Sequence, residues 1–83
     1  MIVRVLYFAS LRERTGASGE TIDIPETADV AALWEALQTK HPRLREVTIH
    51  PLAACDMTYV AWDQSLRGVA EVAFLPPVSG GSS

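Results

Sequence analysis

Two adjacent glycines, Gly80 and Gly81, follow Pro76-Pro77-Val78-Ser79 and precede Ser82-Ser83. Without side chains, such a pair can thread a passage too narrow for any Cβ and take either sign of φ. Pro76 and Pro77 each fix φ at about −65° and stiffen the approach, projecting the glycines away from the body. Val78 and Ser79 are then free to lie extended along a partner's groove. A run of this kind is shaped to be handled by another protein. Di-glycine alone is only moderately specific, because loops and linkers use it too.

Other residues capable of chemistry argue against catalysis by the chain itself. Cys55 ends the apolar run Leu52-Ala53-Ala54-Cys55, the setting of an inert core cysteine rather than a thiolate. As the one cysteine, it excludes an internal disulfide and a site built from several thiolates. His41 and His50 precede Pro42 and Pro51 without patterned carboxylate or thiol neighbours, so they read as surface histidines and no metal site is expected. Ser10, Ser18, Ser65 and Ser79 lack a glycine-framed nucleophile elbow. Gly80 and Gly81 open no helix that would cradle a phosphate. No bound cofactor is expected.

Charge and targeting narrow the partners. The net charge is −3, and Arg12, Arg14, Arg43 and Arg45 are the only local basic groups, which is no nucleic-acid footprint. Arg12 and Arg14 read first as a solvated turn and second as a partner contact. Lys40 is the only lysine, so a modifier building chains on itself would find almost no acceptor. Met1 to Leu6 lacks a signal-peptide pattern, and no apolar run reaches membrane length. A soluble, cytoplasmic protein is expected, with no membrane partner.

The elements that must position the glycines fit one small domain, since 83 residues with 48% hydrophobic content suffice for a single core. Ile2 to Phe8 is apolar at nearly every position, predicting a central strand covered on both faces. After a loop through Gly16 to Gly19, Glu20 to Ile24 alternates polar with β-branched residues and stops at Pro25, predicting a second strand. Thr27 or Asp29 can cap a helix whose apolar stripe is Val30, Leu33, Trp34 and Leu37, and which runs to about Lys40. His41-Pro42 ends it. Leu52 to Cys55 and Tyr59 to Trp62 read as short strands around a turn at Asp56-Met57-Thr58, and Glu71 to Leu75 is the last strand. The order predicts an α+β, ubiquitin-like β-grasp, with a mixed sheet of about four to five strands on one main helix. Residues 1–75 form this domain and 76–83 a flexible tail.

Strand alternation separates two faces. Val3, Val5 and Tyr7 point one way, and Arg4, Leu6 and Phe8 the other; Val72 and Phe74 oppose Glu71, Ala73 and Leu75. A single helix covers one face only. The remaining strip, Leu6, Phe8, Ala73 and Leu75, is either covered by loops or, left open beside the tail, a protein interface. We expect the interface.

The segment Glu-Val-Ala-Phe-Leu-Pro-Pro-Val-Ser-Gly-Gly, from Glu71 to Gly81, closely resembles the end of molybdopterin synthase small subunits, which are ubiquitin-like sulfur carriers. Val-Arg-Val-Leu-Tyr-Phe-Ala-Ser-Leu-Arg-Glu, from Val3 to Glu13, looks like the family's opening, a strand followed by a short helical turn. The resemblance covers nearly the whole chain and is tightest at these two ends. Three positions depart from it. Asp56-Met57 stands where the family commonly has an Asn-Gly-type turn, which predicts a looser hairpin or another turn type. Arg67-Gly68-Val69-Ala70-Glu71 keeps only the glycine and the final glutamate of an acidic stretch. Ser82-Ser83 follows the second glycine.

The resemblance implies that the Gly81 carboxylate is adenylated with ATP by an adenylyltransferase partner, converted to a thiocarboxylate, and inserted into the large subunit. Its sulfur then goes to cyclic pyranopterin monophosphate to form molybdopterin. ATP is used by the partner, and the chain contributes the sulfur-donating tail without catalytic residues of its own. Pro77, Val78, Ser79 and Gly80 would lie in the partner's active site, while Leu6, Phe8, Ala73, Leu75 and Pro76 would form the interface. That interface would serve the large subunit and the adenylating enzyme in turn, and the synthase would be a heterotetramer of two small and two large subunits. With Ser82-Ser83 attached, Gly81 carries a peptide carbonyl and nothing can be activated, so the two serines are a trimmed precursor end, a fusion remnant or linker, or a tail with another role. Alternatives are a different β-grasp sulfur carrier or protein modifier, serving thiamine, cysteine or tRNA thiolation, and a non-catalytic interaction domain.

Overall fold

The structure, a computed structural model, describes residues 1–77. Five strands form one mixed sheet: β1 (Ile2–Tyr7), β2 (Gly19–Asp23), β3 (Leu52–Cys55), β4 (Thr58–Val60) and β5 (Glu71–Leu75), in the order β2-β1-β5-β3-β4. β1 and β5 run parallel at the centre, with Val5 opposite Val72 and Tyr7 opposite Phe74. All other neighbours are antiparallel. The main helix, α2 (Val30–Lys40), packs on one face, while the short α1 (Ser10–Thr15) packs against a 3₁₀ turn at Pro42–Glu46. This is the expected β-grasp.

α2 starts where its free amides find partners. Asp29 Oδ1 accepts from the Ala32 amide at 2.8 Å, and the carbonyls of Gln64 and Trp62 accept from the amides of Val30 and Ala31 at 3.1 and 3.0 Å. The loop before β5 thus doubles as part of the helix cap. Val30, Leu33, Trp34 and Leu37 are all buried, and Pro42 stops the helix beyond His41. They meet Val3, Val5, Tyr7, Val72 and Phe74 from the sheet. Trp34 lies 5.1 Å from Phe74 and 5.8 Å from Trp62 between ring centroids, and Trp62 Nε1 donates to the Pro51 carbonyl at 3.0 Å. An aromatic cluster, with the Trp62 indole N–H hydrogen-bonded, closes this end of the core.

Four sequence expectations need correction. β1 is central but covered on one face only: Val3, Val5 and Tyr7 are buried, whereas Ile2, Arg4 and Phe8 are exposed. The apolar run therefore marks a second, open apolar face rather than coverage on both sides. β4 stops at Val60, because Trp62 leaves the sheet to pack on Trp34. The Asp56-Met57 hairpin is tight rather than loose, a two-residue loop with φ of 48° and 73°, the sign a type I′ turn requires at both positions. Asp56 offsets part of that strain: its carboxylate accepts from the Glu71 amide at 3.0 Å and its amide donates to the Glu71 carbonyl at 2.9 Å. His41, expected at the surface, is half-buried against Glu20 and Tyr7.

Candidate functional site

The face of the sheet away from α2 carries two apolar rows that follow from register. Leu6, Ala73, Ala54 and Tyr59 lie side by side across β1, β5, β3 and β4. One step toward the exit of β5, Phe8 adjoins Leu75, which pairs with Leu52. Phe8 is 44% exposed, Leu52 41% and Tyr59 65%, whereas Leu6, Ala73 and Leu75 are half-buried. One step the other way, Arg4 pairs with Glu71 across the same face at 3.8 Å and gives the patch a polar border. The apolar surface is therefore concentrated where β5 releases Pro76 and Pro77.

All five expected interface residues, Leu6, Phe8, Ala73, Leu75 and Pro76, lie at this end of the sheet. Leu52 and Tyr59 extend the strip and were missed, although the exposed alternation of β3 and β4 is the signal that finds them. Pro77 lies with Pro76 in a cleft beside Ser10, Leu11 and Val47, rimmed by an Arg14–Glu46 ion pair of 2.6 Å. Val78, Ser79, Gly80 and Gly81, like Ser82 and Ser83, lie outside the described residues.

Behind the strip, the end of β1 is fastened by a polar cluster that sequence patterning does not reveal. The Tyr7 hydroxyl donates to Glu20 Oε2 at 2.5 Å, His41 Nε2 lies 2.6 Å from the same oxygen, and the Lys40 ammonium pairs with Oε1. Burial alone would raise the Glu20 carboxyl, but hydrogen bonds from Lys40, Tyr7 and His41 outweigh it and bring it down to about 2. Burial, then the hydrogen bond and charge of Glu20, push the Tyr7 hydroxyl up. β1, β2 and the end of α2 are thereby tied together directly beneath the position from which Phe8 emerges.

The remaining reactive groups have structural settings. Cys55 is a free, buried cysteine whose thiol is pushed up by burial and by the neighbouring Asp56 charge, the opposite of an activated nucleophile. His50 stacks on Trp62 with ring centroids 4.5 Å apart. Among the described residues, no three His, Cys, Asp or Glu side chains come close enough to hold a metal, and no helix is long and apolar enough to cross a membrane.

A model of the ThiS family matches residues 5–81. The chain is 38% identical over 82 residues to the human molybdopterin synthase sulfur carrier subunit, a match that covers 95% of this chain and 93% of that one. Among solved structures, a molybdopterin converting factor subunit 1 from Pyrococcus furiosus superposes with a TM-score of 0.79 at 32% identity, covering 94% of this chain and 99% of that one. SAMP1 from Haloferax volcanii superposes with a TM-score of 0.82 at 27% identity, covering 98% and 100%.

Proposed function

The chain belongs to the ThiS family, and we propose that it works as the sulfur carrier subunit of a molybdopterin synthase, as its relatives' names state for them. One observation carries the reading: β5 delivers Pro76-Pro77 from the edge of an open apolar face, so a docking surface and the root of the tail are one continuous region. A partner gripping that face would receive the following residues at a fixed point.

The carrier chemistry belongs to Gly81. A free carboxylate is ionised at neutral pH and a poor electrophile. The adenylating partner joins it to the AMP portion of ATP with loss of pyrophosphate, and sulfur then displaces AMP to leave a thiocarboxylate. Inside the large subunit that sulfur passes to cyclic pyranopterin monophosphate. Ser82-Ser83 must be absent or removed, because an amide carbonyl at Gly81 offers nothing to adenylate. Leu6, Phe8, Ala73, Leu75 and Pro76 dock on the large subunit, and in a mutually exclusive complex on the adenylating enzyme, while Pro77, Val78, Ser79 and Gly80 enter the active-site channel. Two small subunits at opposite ends of a large-subunit pair complete the assembly.

The test uses the chain ending at Gly81, an adenylating enzyme, ATP, a sulfur source, a large subunit and the pterin substrate. Molybdopterin should form, and Gly81→Ala should fold with an unchanged thermal midpoint yet yield none, because its Cβ blocks the channel where ATP approaches. Partner binding and product formation that survive truncation after Leu75 would sink the proposal. Likeness to SAMP1, which belongs to the small archaeal modifier proteins, supports a second reading as a protein modifier. In that case the activated chain would appear in isopeptide conjugates.

A further inference from the structure

The two local arginine groups, Arg12/Arg14 and Arg43/Arg45, are separate in sequence but adjoin in the fold. Leu11 of α1 and Leu44 of the 3₁₀ turn are both buried, and Arg14 Nη1 donates to the Arg43 carbonyl at 3.4 Å while pairing with Glu46. These two short elements hold four of the seven Lys and Arg residues but only two of the ten acids, Glu13 and Glu46. Elsewhere the cations are neutralised locally: Arg4 by Glu71, Arg67 by Glu26, Lys40 by Glu20 and the Met1 ammonium by Asp23. Among the described residues, only Arg12, Arg43 and Arg45 pair with no carboxylate, and all three are exposed. On a chain of net charge −3, the unpaired positive charge is gathered on these two adjoining elements, with Arg45 Nε also donating to the Gln38 carbonyl of α2 at 3.4 Å.

Both elements border the start of the tail. Arg14 and Glu46 rim the same cleft as Pro76 and Pro77, and α1 begins two residues after Phe8 of the open strip. Exposed charge of one sign next to an apolar contact governs the rate and orientation of encounter more than the final affinity.

We propose that Arg12, Arg43 and Arg45 form a basic collar at the tail exit that docks on an acidic surface of the protein receiving the tail. The inference rests on the carrier reading above, in which a partner takes the tail, and adds the charge that this partner must present. Complementary charge would align the partner before the apolar rows touch, so that the tail arrives already aimed.

Stopped-flow association of the chain with a large subunit and with an adenylating enzyme, at low and high salt, tests the collar. Arg12→Glu/Arg43→Glu/Arg45→Glu should slow association with at least one of them by about tenfold or more at low salt, with dissociation little changed. The wild-type rate should fall steeply with salt, and the variant's should not. Gln at the same three positions should give an intermediate rate, and an unchanged unfolding midpoint shows that the fold persists. Equal rates and salt slopes for wild type and variant with both partners would overturn the collar while leaving the carrier reading intact. Failure of wild type to bind either partner would overturn both. Unchanged protein association combined with duplex oligonucleotide binding that the variant loses would overturn it in favour of a nucleic-acid surface.

Discussion

The two faces of the central β1–β5 pair are built from the same two strands of backbone yet have opposite fates. Toward α2, Val3, Val5, Val72 and Phe74 are completely buried; away from it, Phe8 is 44% exposed and Leu6, Ala73 and Leu75 are half-covered. Both faces are apolar, so hydrophobicity alone does not separate a core from a contact surface. Coverage does. One helix can shield one side of a sheet, and the second apolar side is then available to another protein.

The contrast breaks most sharply by truncating one aromatic on each face. Phe74→Ala should cost about 3–5 kcal/mol in denaturant unfolding, from lost transfer energy plus a cavity against Trp34 and Trp62. Phe8→Ala should cost under about 1 kcal/mol of stability, because its ring already meets water, while weakening large-subunit binding. Equal stability losses would erase the distinction between the faces. A tighter constraint lies at the edge of the open face, where a Cβ on Gly19 would sit 2.9 Å from the Val5 carbonyl oxygen and 3.0 Å from Leu6 Cδ2. Gly19→Ala should therefore destabilise by about 1–3 kcal/mol, read as a lower unfolding midpoint.

Beneath the strip, Glu20 supplies a pH handle. Its folded value of about 2 lies below the ordinary 4.5, so its stabilisation is fully present above about pH 4.5 and is lost as pH falls through about 2. Glu20→Gln should lower stability at neutral pH by about 1–2 kcal/mol and flatten the acid limb of the stability curve. An unchanged acid limb would show that the cluster does not hold β1. The smallest effect should be a gain. Met57 is 92% exposed with φ of 73°, so Met57→Gly relieves the turn without uncovering core and should add about 0.5–1 kcal/mol.

Features set by local pattern were legible in the chain. β3 lies at Leu52–Cys55 as its apolar run indicates, and α2 has the Asp29 cap and the Val30, Leu33, Trp34, Leu37 stripe. Features that need distant residues to meet were not. His41 looks like a loop histidine until β2 brings Glu20 beside Tyr7, and Asp56-Met57 looks like a poor turn until Asp56 reaches the start of β5. The strip residues on β1 and β5 were readable from alternation, but Leu52 and Tyr59 join them only through the β3–β5 and β3–β4 registers. The arginine collar is hidden for the same reason, because α1 and the 3₁₀ turn lie far apart in the chain and adjoin only in the fold.

The claim that Gly81 carries sulfur is tested most directly by the intact mass of the protein recovered from its own cells. A species ending at Gly81 is expected, a fraction of it with one oxygen exchanged for sulfur. A mass that retains Ser82 and Ser83 in every molecule would contradict it, since Gly81 would then hold an amide that no adenylating enzyme could activate.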